Sequence, residues 1–240
     1  MTKTTVRARA GAVALSLMAL GVSPAAQPQA QKPSGDWQRT FNVTAADLAT
    51  VGENPYFILK PGSQLTLEGK DGGKTVRLVV TVLDETRVVG GIETRVVEER
   101  ESENGALVEV SRNFVAIHKT TRDIYYLGED VDIYKNGKVV DHEGAWLHGS
   151  KGATLGLLVP ASPVMGQRYY QEVAPGVAMD RAEVVSLTER LTTPAGTFEK
   201  CLKTRETTPL EPGDTEYKLY APGGGMVQDG PLVLIARVQK

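Results

Sequence analysis

An all-β, mainly antiparallel fold is predicted, on three observations. Short segments alternate apolar and polar residues at a period of two. Pairs rich in Gly, Asn and Asp separate them at hairpin spacing. Beyond residue 25 no stretch holds a helical period over three turns. Successive hairpins favour a meander, because neighbouring strands pair through short turns. A long antiparallel sheet protects its edges by curling or closing. The expected shape is therefore a strongly curved sheet or open barrel around an apolar hollow, with one minor helix near the N-terminus.

The elements follow in order. Lys3, Arg7 and Arg9 form a basic head, Gly11 to Val22 an apolar run, and Ser23-Pro24-Ala25 a small-residue exit. These are the three parts of an export signal, predicted over residues 1–25. The run of 12 residues is shorter than the roughly 20 that a spanning helix needs, so no membrane span is expected once the signal is removed. Residues 26–43 begin with Gln, Pro and Ala and read as a flexible leader. Residues 44–240 are read as a single β-rich domain. Within it, Thr44 is placed to cap a short helix over Ala45 to Ala49.

Strands are predicted over Gln64 to Glu68, Lys74 to Leu83, Ile92 to Glu101, Leu107 to His118, Asp123 to Leu127 and Val131 to Tyr134, with Val139 and Val140 following. Val76, Leu78, Val80 and Val82 share one face. Asn104-Gly105 and Asn136-Gly137 are tight hairpin turns. The loose stretch from Gly144 to Gly166 bridges two halves of the sheet or forms a lid. Strands then resume at Arg168 to Val173, Ala182 to Leu191, Thr197 to Arg205, Thr215 to Tyr220 and Leu232 to Val238.

Several pieces carry a resemblance. They are Asn54-Pro55-Tyr56-Phe57 followed by Leu59-Lys60-Pro61-Gly62, Thr193-Pro194-Ala195-Gly196-Thr197-Phe198 with Cys201-Leu202, and Tyr220-Ala221-Pro222-Gly223. Together they resemble a broad group of exported bacterial β-rich proteins, some of them lipoproteins, with no assigned activity. Similar pieces occur where a curved sheet wraps a helix or pocket, as in the lipoprotein-carrier fold. The pieces are turns and strands, so the resemblance implies fold more than activity and carries over no catalytic residue. Gly225 stands where an apolar residue is expected, and no helix to plug a carrier-type sheet is visible.

Composition narrows the partners. The chain has 27 basic and 29 acidic residues. Without the three basic residues of the signal, the balance is 24 against 29, a net charge of −5. That gives no electrostatic reason to expect nucleic acid. One cysteine, Cys201, allows no intrachain disulfide. It is read as a quiet, partly covered thiol, since a nucleophile needs a basic neighbour. No nucleophile elbow, His-Glu-x-x-His or phosphate-loop pattern occurs.

Chemistry concentrates in Gly128 to Glu143. With Asp132 as the first position of a twelve-residue calcium loop, Asn136 falls at five, Gly137 at six and Glu143 at twelve. Tyr134 occupies the third position, where an oxygen ligand belongs, and Asn136-Gly137 already has a full account as a hairpin. His142 is a further candidate ligand, for zinc. The candidate metal set is thus Asp132, Asn136, His142 and Glu143, with calcium the candidate ion. The acidic run from Glu98 to Glu103 reads as a wet strand end and turn. Asp180, Glu183, Glu189 and Glu206 are scattered, and any two meeting inside a barrel make an acid/base pair.

The leading expectation is an exported, periplasmic or extracellular module that binds a small or partly apolar ligand. Tyr126, Trp146, Tyr170 and Tyr220 are its candidate wall. The alternative is a non-catalytic structural or interaction protein of the cell envelope. A divalent-cation-binding protein or a carboxylate-based enzyme ranks below both.

Overall fold

The computed structural model describes residues 36–239. The export signal expected over 1–25, and residues 26–35 of the leader, lie outside the described residues. The strands are β1 (Leu48–Ala49), β2 (Gly52–Asn54), β3 (Phe57–Leu59), β4 (Gln64–Asp71), β5 (Lys74–Val89), β6 (Ile92–Glu103), β7 (Ala106–His118), β8 (Ile124–Lys135) and β9 (Lys138–Asp141). They continue as β10 (Trp146–Leu147), β11 (Gly156–Val159), β12 (Arg168–Tyr170), β13 (Arg181–Thr193), β14 (Gly196–Thr207), β15 (Glu216–Ala221), β16 (Gly225–Asp229) and β17 (Leu232–Val238). All but β2 and β3 join one antiparallel sheet, ordered β10-β8-β7-β6-β5-β4-β17-β16-β15-β14-β13-β12. The short β1 lies on β7, and β9 and β11 lie on β8.

Two meanders make this sheet, β4 to β8 and β12 to β17. They are joined where the last strand pairs with β4, in the register Leu67↔Leu234 and Glu68↔Val233. The turns are set by local chemistry. Asn104 and Gly105 have φ of 49° and 84°, and Asn136 and Gly137 have 54° and 74°. Two successive left-handed residues match the twist of a two-residue hairpin, and Asn-Gly is the pair that tolerates them best.

The strongly curved sheet or open barrel is not what forms. The hydrogen-bonded path is open, ending at β10 and β12, and the sheet is neither closed nor strongly curled. Its edges are protected in another way. Gln38 lies parallel to β12, its N–H donating to Arg168 O at 3.0 Å while Tyr170 N–H donates to Gln38 O at 2.9 Å. At the other end the short β9, β10 and β11 cover β8. Covered edges remove the need for closure.

The minor helix is also absent. A single 3-10 turn, Ala45–Asp47, stands in its place. The Asp47 carboxylate accepts the Thr44 N–H at 2.8 Å and the Thr44 hydroxyl at 2.7 Å. These bonds, the side-chain one foremost, hold its pKa below the ordinary value. At the next residue β1 begins, and its pairing with His118 ends the turn. The described part of the leader is docked on the domain: Trp37 lies under Arg181 at 4.4 Å, and Phe41 packs edge-on to Tyr125 at 5.8 Å.

The two short strands expected over 123–134 are one strand, β8. Gly128, at φ 136°, carries the chain through the interval. A Cβ there would sit 2.3 Å from Trp146 O, so the glycine is what lets β10 approach. The loose stretch before Gly166 does bridge. Its β11 pairs with β8, and its Gly156 lies so close to the residue after β12 that a Cβ would be 2.2 Å from Gln171 O.

One buried cluster spans both meanders. Val76, Leu78, Val80 and Val82 are all in it, with Leu67, Leu202 and Leu234. Cys201 is fully buried, and burial pushes its thiol up to about 11, away from nucleophilic use.

Candidate functional site

Directly opposed residues of an antiparallel pair share a face. Register therefore propagates a face across the sheet. Val80 stands opposite Glu99, and Leu78 opposite Glu101. Glu99 stands opposite Ser111, and Glu101 opposite Glu109. Glu109, Ser111 and Asn113 stand opposite Ile133, Val131 and Glu129. The face that is apolar on β5 thus turns acidic on β6, β7 and β8.

That face borders a cavity of about 1520 Å³. Glu99, Glu101, Glu109 and Glu129 line it, together with Val97, Val115, Tyr126, Val131 and Leu158. Strands far along the order contribute to the same cavity: β14 supplies Glu206 and β15 supplies Lys218. The Lys218 ammonium lies 3.4 Å from Glu206 Oε2 and 3.5 Å from Asp229 Oδ1. Glu206 Oε1 also accepts from Gln171 Nε2 and from the Thr204 hydroxyl, both at 3.1 Å. Burial works against the charge on Lys218. The Asp229 and Glu206 carboxylates outweigh it and hold the ammonium well above the ordinary lysine value.

The opposite wall has no such partner. Glu99, Glu101 and Glu109 make no ion pair and no side-chain hydrogen bond among the described residues. All four glutamates are half-buried, walled in but still touching the cavity space. Desolvation is the leading influence on each. Glu99 is pushed up to about 7, relieved by Lys218 and reinforced by Asp229, Glu109 and Glu206. Glu101 is pushed up to about 8, with Glu109, Glu103, Asp229 and Glu99 adding like charge. Glu129 also reaches about 8; Tyr126 relieves it by a hydrogen bond, while Glu109, Glu99 and Asp180 raise it. Burial raises Glu109 as well. Such groups exchange protons near neutrality and hold a cation when ionised.

Of the four expected wall residues, Tyr126 faces the cavity, and its hydroxyl donates to Asn113 Oδ1 at 2.5 Å. Trp146, opposite Glu129 in register, packs edge-on to Tyr126 at 5.4 Å. Its indole N–H has no hydrogen-bond partner among the described residues. Tyr170 lies on the other face, edge-on to Trp37, because its neighbour Tyr169 takes the buried side opposite Ala182. Tyr220 is buried in the core opposite Leu202.

Of the expected metal residues, Asp132 and His142 come together, but the four do not form one set. Residues 132–143 form the β8–β9 hairpin and the turn after it. Asp132 receives Arg112 Nη1 at 3.1 Å and lies 3.0 Å from His142 Nδ1. Asn136 is at the exposed hairpin tip, and Glu143 lines the cavity. Among the described residues no group of three or more His, Cys, Asp or Glu is placed to hold a metal ion.

The wet-strand-end reading of Glu98 to Glu103 needs correction for Glu99 and Glu101. A signal for them was present: 97, 99 and 101 share the phase of the buried Val97. Glu109 is likewise in phase with Ser111, Asn113 and Val115, all buried. Of the four scattered acids, Asp180 and Glu206 meet the cavity. Glu183 instead lies between Arg168 and Arg205.

No protein-family model, curated protein or solved structure matches this chain.

Proposed function

We propose that the chain is an exported binding module, working in the periplasm or the medium, whose cavity holds a small or partly apolar ligand. The observation that carries this reading is the cavity itself. Its walls mix aliphatic side chains with convergent polar groups, the composition that ligand sites use for affinity and orientation. The signal-like residues 1–25 support export. The buried, raised Cys201 takes no part. Native mass spectrometry of the chain recovered from its exporting host tests the reading. A bound organic molecule lost on Tyr126→Ala is the expected result; a mass equal to the bare chain in every preparation, with no thermal shift from any added ligand, counts against it.

A second reading is favoured by one pair. Glu101 and Glu109 stand opposite each other with raised pKa values, as a carboxylate acid/base catalyst requires. Turnover of a bound ligand that disappears in Glu101→Gln and in Glu109→Gln would select the enzyme reading. Binding without turnover selects the module.

A further inference from the structure

We infer that the ligand of this cavity is an amphiphilic amine, with its ammonium against the β6–β8 carboxylate wall and its apolar part along the mouth. The inference rests on the binding-module reading and narrows its ligand class.

Charge complementarity is the first argument. Thirteen Asp or Glu and two Lys line the cavity, with no Arg among them. Lys218 shows how an ammonium is held there, between Glu206 and Asp229. Across from it, Glu99, Glu101 and Glu109 present carboxylates that make no ion pair and no side-chain hydrogen bond among the described residues. Like-charged groups facing each other in a walled space are costly unless protons or an outside cation compensate. An anionic ligand would add to that repulsion.

The mouth supplies the second argument. Val140, Val177 and Leu210 line the cavity and are 58%, 42% and 42% exposed. They come from β9 and from two separate loops, yet line the same cavity. A purely hydrophilic cation makes no use of them, whereas an alkyl chain buries them together at about 25 cal/mol per Å². Within the wall, Val97, Val115, Val131 and Leu158 extend the apolar surface inward. The volume exceeds the roughly 300–1,000 Å³ of ordinary small-ligand pockets, which suits an extended molecule.

Calorimetric titration of the purified chain at about pH 8.5 with octylamine, octanol, octanoate and spermidine is the test. Octylamine is expected to bind about tenfold or more tighter than octanoate, the charge-assisted contacts being the difference. Glu99→Gln/Glu101→Gln should weaken octylamine about tenfold and leave octanol unchanged. Val177→Ser/Leu210→Ser should weaken octylamine but not spermidine. Near neutral pH, heats in buffers of different ionisation enthalpy should report proton release on amine binding, which a merely structural acid wall would not produce. Octanoate or octanol binding with octylamine silent would overturn the amine while leaving a ligand cavity. Silence of all four probes on a folded chain would overturn the cavity reading itself. A Lys-rich peptide binding far tighter than octylamine would overturn the small amphiphile.

Discussion

Strands β6, β7 and β8 carry acidic residues on both faces, and the two faces solve the same problem differently. On the outer face Glu98, Arg112 and Asp130 are register partners, with Asp132 two residues along from Asp130. Arginine meets carboxylate there: Arg112 Nε lies 3.6 Å from Glu98, Arg100 lies 3.6 Å from Glu98, and Arg87 pairs with Asp130. On the inner face Glu99, Glu101, Glu109 and Glu129 share a wall with no arginine at all. The outer carboxylates are compensated by arginine within the fold, and the inner ones are not. Sheet proteins place interleaved charges outside for solubility and edge control. A same-sign wall facing a cavity has no comparable structural use.

The largest expected effect comes from a buried carboxylate that does have arginines. Glu183, 3% exposed, lies between Arg168 and Arg205. Glu183→Ala should cost about 3–5 kcal/mol, because the buried carboxylate that two arginines share is lost; chemical denaturation measures it. A loss under about 1 kcal/mol would mean that compensation by arginine is not what makes buried acid tolerable here.

Next comes pH. Desolvation pushes Glu99 up to about 7 and Glu101 and Glu129 up to about 8, and raises Glu109 as well, all above the ordinary carboxylate value of the unfolded chain. A raised carboxyl pKa makes the folded state bind the extra proton, so its destabilising contribution is absent below the unfolded value. It grows through neutrality and is complete above the folded value. The melting temperature should rise by about 5–10 °C as pH falls from roughly 8.5 to 5.5. His148, lowered by burial, works weakly against this at the acid end. A flat profile in scanning calorimetry would place the wall in ordinary water and erase the contrast between the faces.

Smaller shifts separate single residues. Glu101→Gln should raise the melting temperature by about 3 °C near pH 8.5 and leave it unchanged near 5.5, because a neutral amide removes the repulsion only where it existed. Asp132→Asn on the outer face should move stability by no more than about 1 kcal/mol at either pH, as ion pairs that keep contact with water usually do. Equal responses from Glu101 and Asp132 would collapse the distinction between them.

Much of the fold was legible in the chain, and for identifiable reasons. Asn104-Gly105 and Asn136-Gly137 announce hairpins because few residue pairs accept two left-handed conformations. Val76 to Val82 announce a strand with one buried side, since strand side chains alternate strictly. The same alternation, carried one strand further, assigns Glu99 and Glu101 to the face of Val97. It was obscured by reading Glu98 to Glu103 as a block of charge rather than as two interleaved sets. The calcium spacing of Asp132, Asn136 and Glu143 misled for the opposite reason. The twelve-residue calcium spacing is meaningful only where the chain wraps as a loop, and here a strand pairing straightens it.

Turn positions, strand phase and the hairpin order of the two meanders were decided by residues within a few places of each other. These depend on backbone conformation and side-chain alternation, which are local properties. The joining of β4 to β17, the open sheet with covered edges, and the opposition of Lys218 to the glutamate wall depended on tertiary structure. A carboxylate's proton affinity depends on what stands around it and how much water remains, and some of those neighbours come from more than 100 positions away: Lys218, Asp229 and Glu206 act on Glu99 only in the folded chain.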